Sequence, residues 1–215
     1  MARQKTVFEG LVTLNSTWWG RAVFTIVIFS GTLPFYQYLN RNLEPKYDLS
    51  IWLDHLIPYW PWTVSIYMSV YIMYLGAAAL LSPLRYLRLL MAMLIVNFTS
   101  YIGFITLTSH YPRPSREAWM ESAWSPVIDW MVAMDPPGNT FPSLHVSSAV
   151  LLGLALRQSP GGLLWTTWGG VIALSTLTIK QHFIWDVVGG TALAMGAYWW
   201  VSQRRPDRKV EHPKV

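Results

Sequence analysis

The chain contains no cysteine, which excludes disulfide frameworks, thiolate nucleophiles and zinc–sulfur sites. Charge is also scarce. Asp, Glu, Lys and Arg make up 13% of the 215 residues, about half the share found in a soluble domain. Neither a disordered chain nor a nucleic-acid-binding surface can be built from so few charges, and the net charge of +5 is not gathered into one stripe. Three short motifs are missing as well: a His-Glu-x-x-His helix, a Gly-x-Ser-x-Gly elbow and a Gly-x(4)-Gly-Lys loop. Metalloprotease, serine hydrolase and phosphate-loop readings therefore fail on residues. In place of charge the chain carries 53% hydrophobic residues, with 13 tryptophans and 11 tyrosines. That is the composition of a membrane protein.

Between charged residues and histidines the chain falls into long apolar gaps at 22–40, 56–84, 89–109, 136–156 (interrupted by His145), 158–179 and 187–203. A spanning helix needs about 20 predominantly apolar residues, so six segments qualify, and no polar helices remain to cover them in water. The runs are continuously apolar instead of alternating, which predicts helices and not a β-barrel. The expected fold class is all-α: one polytopic membrane domain over 1–215, with six transmembrane helices near 21–40, 57–82, 87–109, 142–157, 162–181 and 185–203. The first run is too long, and lacks the small-residue site, for a removed signal peptide. In the long connection 110–141, Met120, Ala123, Trp124, Val127, Met131 and Met134 recur at helical spacing. This predicts an external interfacial helix over about 115–134, between spans three and four. Such a helix either covers an outward-opening site or packs on the bundle without gating it.

Six spans place eleven of the Lys and Arg residues on the side of the two termini and five (Arg41, Lys46, Arg113, Arg116, Lys180) on the other. The positive-inside rule then puts both termini in the cytoplasm, with Arg204, Arg205, Arg208 and Lys209 of the basic tail 204–215 resting on anionic lipid heads. The expected location is a bacterial inner (plasma) membrane, with the functional face external.

Three polar clusters fall at the external helix ends: His110-Tyr111-Pro112-Arg113-Pro114, Phe141-Pro142-Ser143-Leu144-His145 and Lys180-Gln181-His182-Phe183-Ile184-Trp185-Asp186. Ionisable groups near hydrocarbon are costly and so are functional candidates. His182 and Asp186, four apart, share a helix face. A carboxylate accepting from one ring N–H leaves the other nitrogen as nucleophile or base. His145 has no acid three or four positions away, which suits a proton donor to a leaving group. Arg113 is the natural clamp for a phosphate oxygen pair, and Ser143 with the first N–H groups of span four adds donors. A metal site built from His145, His182 and Asp186 is conceivable by ligand type, but the expectation is no metal and no cofactor.

These motifs resemble the type-2 phosphatidate phosphatase and vanadium haloperoxidase superfamily, whose pattern is Lys-x(6)-Arg-Pro, Pro-Ser-Gly-His and Ser-Arg-x(5)-His-x(3)-Asp. The resemblance covers roughly residues 85–200. It implies a six-helix membrane bundle in which His182 attacks phosphorus, Asp186 orients it, His145 protonates the leaving oxygen, and Arg113 and Ser143 hold the phosphate. The chain departs from the pattern at Thr106 and Thr176, where the family has lysine and arginine, and at Leu144, where it has glycine. Lys180, Arg116 and His110 are the remaining candidates for phosphate binding. The Pro-Ser-Leu-His form with a degenerate third motif is similar to the inositol-phosphorylceramide-synthase branch.

Three readings follow. The first is a metal-independent lipid phosphatase using a phosphohistidine intermediate, acting on polyprenyl diphosphates, phosphatidate or phosphatidylglycerophosphate. The second is a phosphotransferase of the same fold that passes the group to an alcohol. The third is a decayed, lipid-binding membrane protein. The partners expected are a lipid phosphate and the bilayer, with no nucleic acid.

Overall fold

The computed structural model describes residues 7–203, so the basic tail expected over 204–215 lies outside the described residues. These residues form ten α-helices and no strand: α1 (Val7–Leu14), α2 (Trp18–Asn42), α3 (Trp52–Leu56), α4 (Val64–Met68), α5 (Val70–Leu80), α6 (Pro83–Thr106), α7 (Ser125–Met134), α8 (Leu144–Leu156), α9 (Gly162–Thr178) and α10 (Ile184–Gln203). The fold is all-α.

Local chemistry sets the helix ends. Thr17 caps α2 by accepting the Gly20 N–H at 3.1 Å. Pro83 at the first position of α6 supplies a preset φ where its missing N–H costs nothing. Ser143 caps α8 by accepting the Val146 N–H at 3.2 Å. The segment expected as one helix over 57–82 is divided: a 3-10 turn at Pro61–Thr63 leads into α4, and α5 follows after Ser69. The Ser69 hydroxyl donates back to the Ile66 carbonyl at 2.6 Å and accepts from Trp168 Nε1 at 2.9 Å. A side chain that competes for the helix ladder in this way is a known cause of bending. The amphipathic stretch 115–134 is also divided, into a 3-10 turn at Arg116–Ala118 and the ten-residue α7.

Among the described residues three helices are long and apolar enough to cross a membrane: Trp18–Asn42, the stretch Pro61–Leu80 that contains α4 and α5, and Pro83–Thr106. Helix α8 is apolar but has 13 residues, about 20 Å at the helical rise. Large apolar side chains remain exposed on the outer faces, among them Ile26 and Val27 on α2, Ile72 and Leu75 on α5, Phe98 and Ile102 on α6, and Leu174 on α9. Surfaces of this kind are compatible with a lipid environment.

Helix α8 sits at the centre. Its Val146, Ala149, Leu151, Leu152 and Leu156 are buried, and the main apolar cluster joins α8 to α5, α6, α9 and α10. Small residues let the backbones touch: a Cβ on Gly169 of α9 would lie 2.6 Å from the Ala149 carbonyl oxygen. Close approach of this type drives helix association where lipid replaces water. A second cluster packs Ile128 and Met131 of α7 against Val64, Tyr67, Trp119 and Ile179. Helix α7 therefore packs at one end of the bundle, against α4 and Ile179 at the end of α9.

Candidate active site

That end of the bundle also carries the polar residues. His182 lies in the short link between α9 and α10, and Asp186 in the first turn of α10. Asp186 is fully buried, and its Oδ2 accepts from the Phe183 N–H at 2.9 Å and from His182 Nδ1 at 3.3 Å. An acid three residues into a helix that accepts the cap residue's N–H forms half of a capping box. The same carboxylate that starts α10 thus fixes the His182 ring. With its proton on Nδ1, the neutral imidazole carries its lone pair on Nε2. The N-terminus of α10 is held further by Asp54 Oδ1, which accepts the Ile184 N–H at 2.8 Å.

His145 is the second residue of α8. Its Nε2 donates to the Tyr67 carbonyl at 2.9 Å, and its ring stacks on the Tyr67 ring at 3.6 Å between centroids and 6° between planes. Only an N–H can face a carbonyl oxygen, so the neutral ring is protonated at Nε2 and accepts at Nδ1. The cap of α8 and the start of α10 are joined by the Ser143 N–H donating to the Asp186 carbonyl at 3.3 Å.

Both histidines line one cavity of about 390 Å³. Its polar end holds His145, His182, Asp135, Asn139 and Tyr36. It continues between α2, α6 and α8 along Ile28, Leu33, Val96 and Leu151. A largely apolar lining that carries a few polar side chains suits an amphiphile.

The structure places the other expected site residues differently. Arg113 does not line this cavity. Its Nη1 donates to the Asp135 carbonyl, its Nη2 to Gln181 Oε1, and its buried Nε has no partner among the described residues. Ser143 also lies behind the wall, its hydroxyl engaged as the α8 cap. His110 and Lys180 line a second pocket of about 610 Å³ with Lys46, Asp48 and His55, and Lys180 Nζ donates to the Asp54 carbonyl at 2.9 Å. Neither lines the cavity of His145 and His182; Tyr111 and Phe183, in ring contact at 4.5 Å between centroids, line the second pocket with them. Arg116 lines neither pocket. It pairs with Asp129 at 2.9 Å on the exposed surface, and its hydrogen bond, with a second from Trp119, holds the Asp129 carboxyl below its ordinary pKa. Arg116→Ala is accordingly expected to leave turnover and thermal midpoint unchanged, as exposed ion pairs contribute little. A turnover assay beside a melting curve checks it.

Five contributors have no role in the sequence reading: Asp135, Tyr36, Asn40, Asn139 and Gln181. Asp135 Oδ1 accepts from Tyr36 Oη at 2.7 Å and from Asn40 Nδ2 at 3.0 Å, and Arg113 Nη2 stands 3.9 Å from its Oδ2. Burial pushes the Asp135 carboxyl above its ordinary pKa, against the Tyr36 hydrogen bond and the charges of Arg113 and His182. Asn139, in left-handed conformation at φ 53°, donates Nδ2 to the Tyr36 carbonyl at 3.1 Å. Gln181, the residue before His182, accepts from Arg113 Nη2. Among the described residues no group of three acids or histidines is arranged to hold a metal.

The family model described as the PAP2 superfamily matches residues 85–209, more than half of the chain. No curated protein and no solved structure matches it.

Proposed function

The chain belongs to the PAP2 superfamily, and from that premise we propose that it is a membrane-embedded lipid phosphatase working through a phosphohistidine. The observation that carries this reading is the cavity in which His182, oriented by Asp186, and His145 open onto an apolar channel. His182 Nε2 attacks phosphorus, forming an N–P bond as the P–O bond to the lipid alcohol breaks. Asp186 holds the Nδ1 proton and stabilises the imidazolium-like charge that develops. A doubly protonated His145 gives its Nδ1 proton to the leaving oxygen while Nε2–H stays on the Tyr67 carbonyl. Water then attacks the phosphohistidine, losing its proton to His145, and the N–P bond breaks to release phosphate.

In this reading six helices span the bilayer (α2, α4 with α5, α6, α8, α9 and α10), both termini are cytoplasmic, and the cavity mouth faces outward beneath α7 at the interface. The polar groups at the ends of α6 and α9 and at the starts of α8 and α10 then share one membrane face. The substrate class is a lipid phosphate ester, polyprenyl diphosphate, phosphatidate or phosphatidylglycerophosphate. A screen for inorganic phosphate released from these lipids by the purified protein tests the proposal, and silence across the panel would sink it. The same assay with glycerol or myo-inositol separates hydrolysis from transfer, since an alcohol acceptor suppresses phosphate and yields a new phosphodiester or monoester. The mechanism uses only side chains, so chelator is expected to leave the rate unchanged; a rate that falls with EDTA and returns with a divalent ion contradicts it.

A further inference from the structure

The charged side chain that reaches the histidine cavity is an acid, and the guanidinium stands behind it. Asp135 keeps a third of its side-chain surface accessible, against a tenth for Arg113, and Asp135 lines the cavity with His145 and His182 whereas Arg113 does not. Tyr36 Oη and Asn40 Nδ2 donate to Oδ1, and the Arg113 guanidinium stands 3.9 Å from Oδ2 as an ion pair. Those are the surroundings of an ionised carboxylate. The fixed charges around the histidines are therefore one positive, Arg113, and two negative, Asp135 and the buried Asp186. No lysine or arginine lines the cavity among the described residues. Lys180 is bonded to the Asp54 carbonyl and Arg116 to Asp129. A phosphomonoester above its second pKa of about 6 brings two negative charges to this surface, and a phosphodiester brings one. In an enclosed site of reduced dielectric, the additional charge facing Asp135 is opposed far more strongly than in water.

We propose that Asp135 is a specificity determinant, admitting a singly charged phosphoryl group, as in a lipid phosphodiester, and turning away the phosphomonoester dianion. The inference rests on the phosphate-ester reading above and shifts its preferred substrate from the monoester and diphosphate classes named there to lipid phosphodiesters. Asp135 is held in place by α2 through Tyr36 and Asn40, so the selection is built into the contact between α2 and the loop that precedes α8.

The test compares dioctanoyl phosphatidate with its methyl ester in detergent at pH 8, reading consumption of each lipid. Wild-type protein is expected to favour the methyl ester in kcat/KM by at least about tenfold. Asp135→Asn closes that gap, chiefly by raising turnover of the monoester, and Asp135→Glu preserves it. A wild type that favours the monoester dianion overturns the proposal, as does a ratio that Asp135→Asn leaves in place; in both, activity that still depends on His182 keeps the phosphatase reading. If neither variant folds, the wild-type ratio alone decides. Consumption of both lipids that His182→Ala does not reduce overturns the phosphatase reading itself, and the proposal with it.

Discussion

Replacing His182 with alanine is expected to lower turnover by about 10⁴-fold or more, the scale on which removal of a covalent nucleophile acts, and to leave the fold in place. The fold survives because His182 contributes no buried apolar packing to the main clusters, and Asp186 keeps its second donor, the Phe183 N–H, when the imidazole is gone. Asp186→Asn is the sharper probe. An asparagine whose oxygen takes the place of Oδ2 keeps both hydrogen bonds but removes the charge that offsets the developing imidazolium, and a loss of about 10²–10⁴-fold follows. Quenching a reaction on labelled lipid phosphate should trap an acid-labile, alkali-stable label on the wild-type chain and none on His182→Ala. Label on the alanine variant, or turnover near the wild-type rate, would show that another group attacks phosphorus.

The pairing of His182 with Asp186 was legible because it is local, although not through a shared helix face: His182 lies in the link before α10, and Asp186 in the first helical turn reaches back to its ring and to the Phe183 N–H. The helices were legible for a similar reason, since continuous apolar runs without period-two alternation leave little choice of secondary structure. Less legible were the contacts that side chains make across the bundle. The Arg113 guanidinium turns to Asp135 and Gln181 and not into the histidine cavity. Asp135 opens a Pro-Pro-Gly-Asn stretch and Tyr36 stands in an apolar run, neither of which marks a site. Nothing in the spacing could announce that these residues, 99 positions apart, share a hydrogen bond. Lys180 sits two residues from His182 but leaves its cavity, because the left-handed backbone at Lys180, φ 56°, turns the chain between them. The break at Ser69 was hidden for the opposite reason: serine is common inside membrane helices, and only the back-bond to Ile66 marks it.

Gly190→Leu is expected to destabilise the protein by about 1–3 kcal/mol and to lower turnover by about 10²-fold, because this glycine sets the distance between the two halves of the site. A Cβ there would lie 2.7 Å from the Ser143 carbonyl oxygen and 3.2 Å from both Ser147 Oγ and Val146 Cβ, so helix α10 must move away from α8 to admit a side chain. The Gly190 carbonyl accepts from Ser147 Oγ at 2.9 Å, and one turn toward the start of α10 the Asp186 carbonyl accepts the Ser143 N–H at 3.3 Å. Separation therefore breaks the bonds that index Asp186, and with it His182, to the turn of α8 that carries His145. A displacement of about 1 Å between catalytic groups is enough for a loss of that size. Gly196, on the same helix, has nothing within 4 Å of its Cβ position, and Gly196→Leu should match wild type in both respects. Melting curves in detergent beside turnover for the two variants separate the effects: if Gly190→Leu behaves like Gly196→Leu, the close contact of α10 with α8 does not set the geometry of the histidines.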